Sequence, residues 1–171
     1  IIVNAELLMP HKLNTLLKVR FPYIMIVVVI ISILIMTSMK YLTLHSSYFD
    51  LGVFSNNLFL IYSASDFGLL FAGHAQPYLW FYSYIFSLAP KGYGSLAIIL
   101  IQALILMSPL FWLVRRYSLI YTLAYLSFFP LWFNLLNDFH IDHLVVPLLF
   151  YFFITIEDRH YNKAFIVAIL L

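Results

Sequence analysis

Asn137-Asp138-Phe139-His140-Ile141-Asp142-His143 interrupts the most apolar part of this chain. Tyr117 to Leu136 runs up to it almost without a polar break, and Leu144 to Ile156 runs on from it. The first run is long enough to cross a hydrocarbon core as a helix, and the second reads as a short span. A polar loop between two spans is the arrangement this stretch dictates. Two carboxylates and two imidazoles in so short a loop point to function, because ionisable groups near bilayer depth need partners, water or a metal. In an extended segment Asp138, His140 and Asp142 point one way, with Phe139 and Ile141 packed the other way. On a helix, Asp138 and Asp142 would share a face and His140 would lie opposite. The extended form gathers three ligand-type groups, so it is the expectation here.

Composition extends that reading to the whole chain. Hydrophobic residues make up 64% of the 171, charged residues 9%, and the mean hydropathy is +0.99. The fold class is therefore all-α, a polytopic bundle of membrane helices in a lipid bilayer. A net charge of +2 with dispersed basic residues gives no nucleic-acid surface. No cysteine is present, which excludes disulfides, thiolate zinc sites and thiol nucleophiles.

The hydropathy places spans at 22–39, 95–114, 117–136 and 144–156. A further span begins at 164–171. The chain opens on Ile1 and stops within that run at Leu171, so the expectation is one incomplete membrane domain, the N-terminal piece of a longer protein. Two segments read as interfacial helices instead. In 51–63, Leu51, Phe54, Leu58 and Ile61 recur at helical spacing, with Ser55, Asn56 and Asn57 off that stripe. In 77–89, Tyr78, Trp80, Phe81, Tyr82, Tyr84 and Phe86 crowd a piece only about 20 Å long as a helix, a density typical of the headgroup level. Pro109, Pro130 and Pro147 lie inside spans, where neighbouring helices tolerate kinks.

The basic residues orient the bundle. If 77–89 does not cross, Lys12, Lys18, Arg20, Arg115, Arg116, Arg159 and Lys163 share one side against Lys40 and Lys91. If it crosses, the split is nearly even. The positive-inside rule selects the first topology, with a cytoplasmic N-terminus. Asp50, His74 and the loop 137–143 then face the same outer side.

Plainer roles exist for some of these groups. Asp50 closes Ser47-Tyr48-Phe49-Asp50, a capping pattern at the start of a helix. His74, beside Gly73, suits a turn. Asp138-x-His140-x-Asp142 is less easily reduced to structure. With Asp50 it would make a carboxylate-rich set suited to a hard divalent cation such as Mg²⁺ or Mn²⁺.

Several short motifs occur in a fixed order. They are Phe49-Asp50-Leu51-Gly52, His74-x-x-Pro77, Ile101-Gln102-Ala103 after Pro90, and Ala124-Tyr125-Leu126 with Pro130. Asp138-Phe139-His140 follows, and then Val146-Pro147-Leu148-Leu149. In that order the chain resembles an uncharacterised family of predicted membrane proteins, DUF family 2079, which groups with the GT-C glycosyltransferases. The resemblance covers about Ser46 to Ile156. Ile141 and Asp142 stand where the family has Pro and Glu, and Asn57 with Phe59 replaces a Gln and Trp pattern. The resemblance implies an inverting transferase of a prokaryotic cell membrane that takes a sugar from a polyprenyl-phosphate donor at the outer face. It implies Asp50 as catalytic carboxylate, with Asn57, His74 and His143 on substrate. A cation would be held by Asp50, Asp138, His140 and Asp142. Two other readings compete. One is a transporter with an Asp/His cation or proton site on a broken segment. The other is a non-catalytic membrane subunit.

Overall fold

A computed structural model describes residues 11–43, 48–71, 76–136 and 139–171, with side chains from Arg20 onward apart from those of 48, 49 and 141. The described residues are mostly helical, with no strand among them. In chain order the α-helices are α1 (His11–Leu42), α2 (Tyr48–Ala64), α3 (Leu79–Leu88), α4 (Gly94–Met107), α5 (Pro109–Arg116), α6 (Leu119–Leu126), α7 (Phe129–Leu136), α8 (Val145–Glu157) and α9 (Tyr161–Leu170). Short 3₁₀ turns occupy Phe67–Phe71 and Ile141–Leu144.

Two stretches are long and apolar enough to cross a membrane, Arg20–Leu42 and Gly94–Arg116, each of 23 residues. At 1.5 Å per residue each is about 34 Å long, slightly more than a hydrocarbon core. Only 17% of the apolar window in α1 is buried within the protein. Phe21, Ile24, Val28, Ile31 and Ile35 are each more than half exposed. Such a continuous apolar face suits lipid rather than water.

Proline positions explain where these helices bend. Pro109 has no N–H to offer the Ile105 carbonyl. The backbone N–H of Ser108 (3.1 Å) and its hydroxyl (2.7 Å) donate to that oxygen instead, and α4 runs on into α5 as one span. Pro130 similarly deprives the Leu126 carbonyl, and here the chain breaks. The expected span 117–136 is α6 and α7 meeting at 58°. The Trp132 indole N–H donates to the freed Leu126 carbonyl, and the Tyr125 hydroxyl ties the bend to the Leu106 carbonyl of α4. Pro147 lies in the first turn of α8, where its missing N–H costs nothing. That helix has 13 residues and is about 20 Å long, short for a crossing by itself.

The interior is two apolar clusters along the α4–α5 span. One joins Ile26 and Ile33 of α1 to Leu106, Met107 and Leu110, with Leu131 and Leu135 of α7. The other joins Leu51, Leu58 and Ile61 of α2 to Leu79 and Tyr82 of α3, with Ile98, Ile99 and Phe139. The stripe read in 51–63 is thus the face of α2 that packs inward, with Phe54 against the same cluster. The α3–α4 connection follows its sequence closely. Ala89 before Pro90 is extended, and Gly92 supplies the positive φ (89°) of a turn closed by Tyr93 N–H to Pro90 O at 2.9 Å. Gly94 lies so close to the Phe86 ring that a Cβ there would meet it at 2.7 Å.

Cross-helix contacts fix the two ends of the bundle. Lys40 at the end of α1 reaches Leu136 at the end of α7. Arg116 at the end of α5 reaches Asp158 just after α8. Arg20, Arg115, Arg116, Arg159 and Lys163 therefore share one end, while Lys40 and Lys91 share the other.

Candidate functional site

The polar stretch begins where α7 stops, and a helix end leaves its last carbonyls without intrahelical donors. Side chains of other helices satisfy three consecutive ones. Gln102 Nε2 of α4 donates to the Asn134 carbonyl at 2.8 Å. Thr37 Oγ1 of α1 donates to the Leu135 carbonyl at 3.3 Å, and the Lys40 ammonium donates to that of Leu136. A cation at a helix C-terminus is also favoured by the helix dipole.

Gln102 holds the far side of the stretch as well, because its Oε1 accepts the His140 backbone N–H at 2.9 Å. One amide, 1% exposed, thus grips the chain both before and after residues 137–138. It sits at the seam between the two apolar clusters, where unpaired backbone groups would be costly. Phe139 is completely buried. Its ring meets Phe54 of α2 edge-on at 5.2 Å and Tyr82 of α3 at 5.6 Å.

The extended expectation holds for part of the stretch and is corrected for the rest. Phe139 points inward as expected, and His140 is extended (φ −123°, ψ 128°) and half-buried. From Ile141 the chain closes into a 3₁₀ turn, with His143 N–H on the His140 carbonyl at 3.3 Å. The turn abolishes alternation, so Asp142 is exposed while His143 is buried. The physical reason is the His143 ring, whose Nδ1 also bonds the His140 carbonyl and finds a partner inside the protein.

That partner is Tyr82, whose hydroxyl lies 2.5 Å from His143 Nε2. A carbonyl can only accept, so Nδ1 carries the proton, Nε2 accepts, and the Tyr82 hydroxyl donates. Burial is the largest influence on His143 and pushes its pKa below the usual histidine value, against smaller upward pulls from the His140 carbonyl and Asp142. Burial likewise raises the Tyr82 phenol well above its usual range. The pair is neutral and fully engaged. His143, expected on substrate, has both ring nitrogens committed within the protein.

The remaining candidates are distributed as follows. Asp50 lies in the first turn of α2, half-buried, one residue from Leu51 in the cluster that contains Phe139. Asn57 is half-buried on the same helix. Burial raises the Tyr78 phenol, with the charge of Asp142 as the second influence. His74 and Asp138 lie outside the described residues, as does Ser47 of the capping pattern. Among the described residues no three potential ligands converge on a common point; Asp138, the fourth member of the expected cation set, lies outside them.

Sequence reasoning missed Gln102, Tyr82, Thr37 and Lys40 as members of this assembly. One signal was available for Gln102, the single amide in an otherwise apolar span. For Tyr82 it was the spacing of Leu79, Tyr82, Ser83 and Phe86, which marks an inward face inside an aromatic-rich segment. No family model, curated protein or solved structure matches the chain.

Proposed function

We propose that the chain is the N-terminal part of a GT-C-like membrane glycosyltransferase using a polyprenyl-phosphate sugar donor at the outer face. The observation that supports this best is the packing of Phe54 on Phe139, which draws the Asp50 end of α2 and the His140–Asp142 segment to one end of the bundle. A carboxylate and an imidazole at the rim of an apolar bundle suit a donor whose phosphate stays at the headgroup level while its tail stays in lipid. In this reading Asp50 accepts the proton of the acceptor hydroxyl as its oxygen attacks the anomeric carbon. The bond from that carbon to the phosphate oxygen breaks, and His140 donates a hydrogen bond to the departing phosphate. The buried Tyr82–His143 pair and Gln102 hold His140 in place.

A transporter would need an ionisable relay at mid-bundle. The charged residues of the described spans instead fall at helix ends and in turns. The basic end, following the positive-inside rule, is cytoplasmic.

Asp50→Asn tests the reading in the full-length protein with a panel of polyprenyl-phosphate sugars. Asn caps a helix about as well as Asp. A base role lowers transfer at least about a hundredfold while folding is retained. Full turnover by the variant would remove Asp50 from the chemistry.

A further inference from the structure

The opposite end of the bundle carries an amphipathic recess. A cavity of about 340 Å³ lies between α5 and α8, lined by Trp112, Arg115, Arg116 and Ile154. Residues three and four apart share a helix face, so Trp112 lies beneath both arginines, one helical turn deeper in the span. Its ring stacks on Tyr151 of α8 at 5.9 Å, with 28° between the planes. The recess thus has a cationic mouth and an aromatic and aliphatic floor.

The two arginines differ in what remains available to them. Arg116 is engaged by both carboxylates of α8's end, with Nη1 and Nη2 on Asp158 at 2.8 and 2.5 Å and Nε on Glu157 at 3.3 Å. Arg115 is exposed and takes part in none of the ion pairs among the described residues. Arg159 and Lys163 line a neighbouring recess at the same end. Counting Arg20, Arg115, Arg116, Arg159 and Lys163 against Glu157 and Asp158 leaves five positive charges to two negative, an excess of three.

We propose that this recess binds one anionic phospholipid, with its phosphate on Arg115 and an acyl chain over Trp112 and Ile154. Charge complementarity selects an anionic head, and a guanidinium forks onto phosphate oxygens. The position selects a lipid rather than a free anion, because Arg115 is at the end of a 23-residue apolar span and the floor of the recess continues into it. Basic pockets between membrane helices are suited to such head groups. The inference rests on the Gly94–Arg116 span and is independent of any sugar transfer at the other end.

The test is titration of the full chain in neutral detergent with phosphatidylglycerol or phosphatidylcholine, read as bound lipid by native mass spectrometry. Phosphatidylglycerol is expected to bind preferentially, and Arg115→Gln to weaken it about tenfold. Arg159→Gln is the control for diffuse surface charge and is expected to leave binding within about twofold. Trp112→Ala is expected to weaken the lipid. Inorganic phosphate at equal concentration is expected not to compete. Equal losses in Arg115→Gln and Arg159→Gln would overturn the built site in favour of general attraction. Competition by inorganic phosphate, or equal binding of the two lipids, would overturn the lipid assignment. Unfolding without lipid shows whether each variant remains folded.

Discussion

The two polar ends of this bundle are built on opposite principles. At the Lys40 end the groups that meet are mostly neutral and buried. His143 is 3% exposed and Gln102 1%, and between them they engage Tyr82, the Asn134 carbonyl and both the N–H and carbonyl of His140. At the Arg116 end the groups are charged and open, with side-chain exposures of 30% for Arg116, 53% for Glu157 and 39% for Asp158. Exposed ion pairs contribute little, because water and salt serve the separated charges nearly as well. Buried neutral hydrogen bonds are different, because nothing replaces a missing partner. The end that fixes the candidate site is therefore the end without formal ion pairs among its described residues.

The sharpest way to break that contrast is Gln102→Leu. The change keeps an apolar span and removes no charge, yet it leaves the Asn134 carbonyl and the His140 N–H without their amide partner. A loss of roughly 2–4 kcal/mol is expected, taking about 1–2 kcal/mol for each group because hydrogen bonds in membranes average less than in water. Denaturant unfolding in detergent measures it. Wild-type stability would mean that the amide does not clamp the stretch.

A smaller effect should follow pH. His143 is held below its unfolded pKa of about 6.5, chiefly by burial. Above about pH 6.5 both folded and unfolded forms are neutral and the full stability is present. As pH falls, the unfolded chain takes up a proton that the folded one refuses. Stability is therefore lost from about pH 6.5 downward, through His143's own lowered pKa, by at most about 1.4 kcal/mol per pH unit. Unfolding midpoints across that window test it, and His143→Gln should remove the dependence. An unchanged pH profile in that variant would exclude His143 as its source.

The smallest effect belongs to the charged end. Asp158→Asn removes the forked partner of Arg116, whose hydrogen bond holds the Asp158 carboxyl below its usual pKa, yet both groups are open to water. Glu157 remains within reach of the guanidinium. No measurable change in the unfolding midpoint is expected. A loss as large as that of Gln102→Leu would erase the contrast between the two ends.

Much of the architecture was legible in the residues. Runs of apolar side chains marked the two long spans, Arg20–Leu42 and Gly94–Arg116. The helical recurrence of Leu51, Phe54, Leu58 and Ile61 marked the apolar face of α2 that the structure packs against α3 and α4. The residues alone did not separate Pro130, where the chain breaks, from Pro109, where the span runs on. The basic residues divided between the two ends as their order along the chain implied. Hydropathy and helical period are local properties, so they survive in the order of residues. The inward turn of Phe139 was readable for the same reason.

Only the tertiary structure decided how the polar stretch is held. Gln102 meets His140 across 38 positions and Tyr82 meets His143 across 61, separations that no local period encodes. The 3₁₀ turn follows from those partners, since a histidine with a hydroxyl and a carbonyl waiting inside is better buried than left beside Asp142. The sequence by itself determined which groups reach this end of the bundle. Which of them are spent on one another, and which remain open as His140 and Asp142 do, depended on hydrogen bonds between helices brought together by the apolar faces around them.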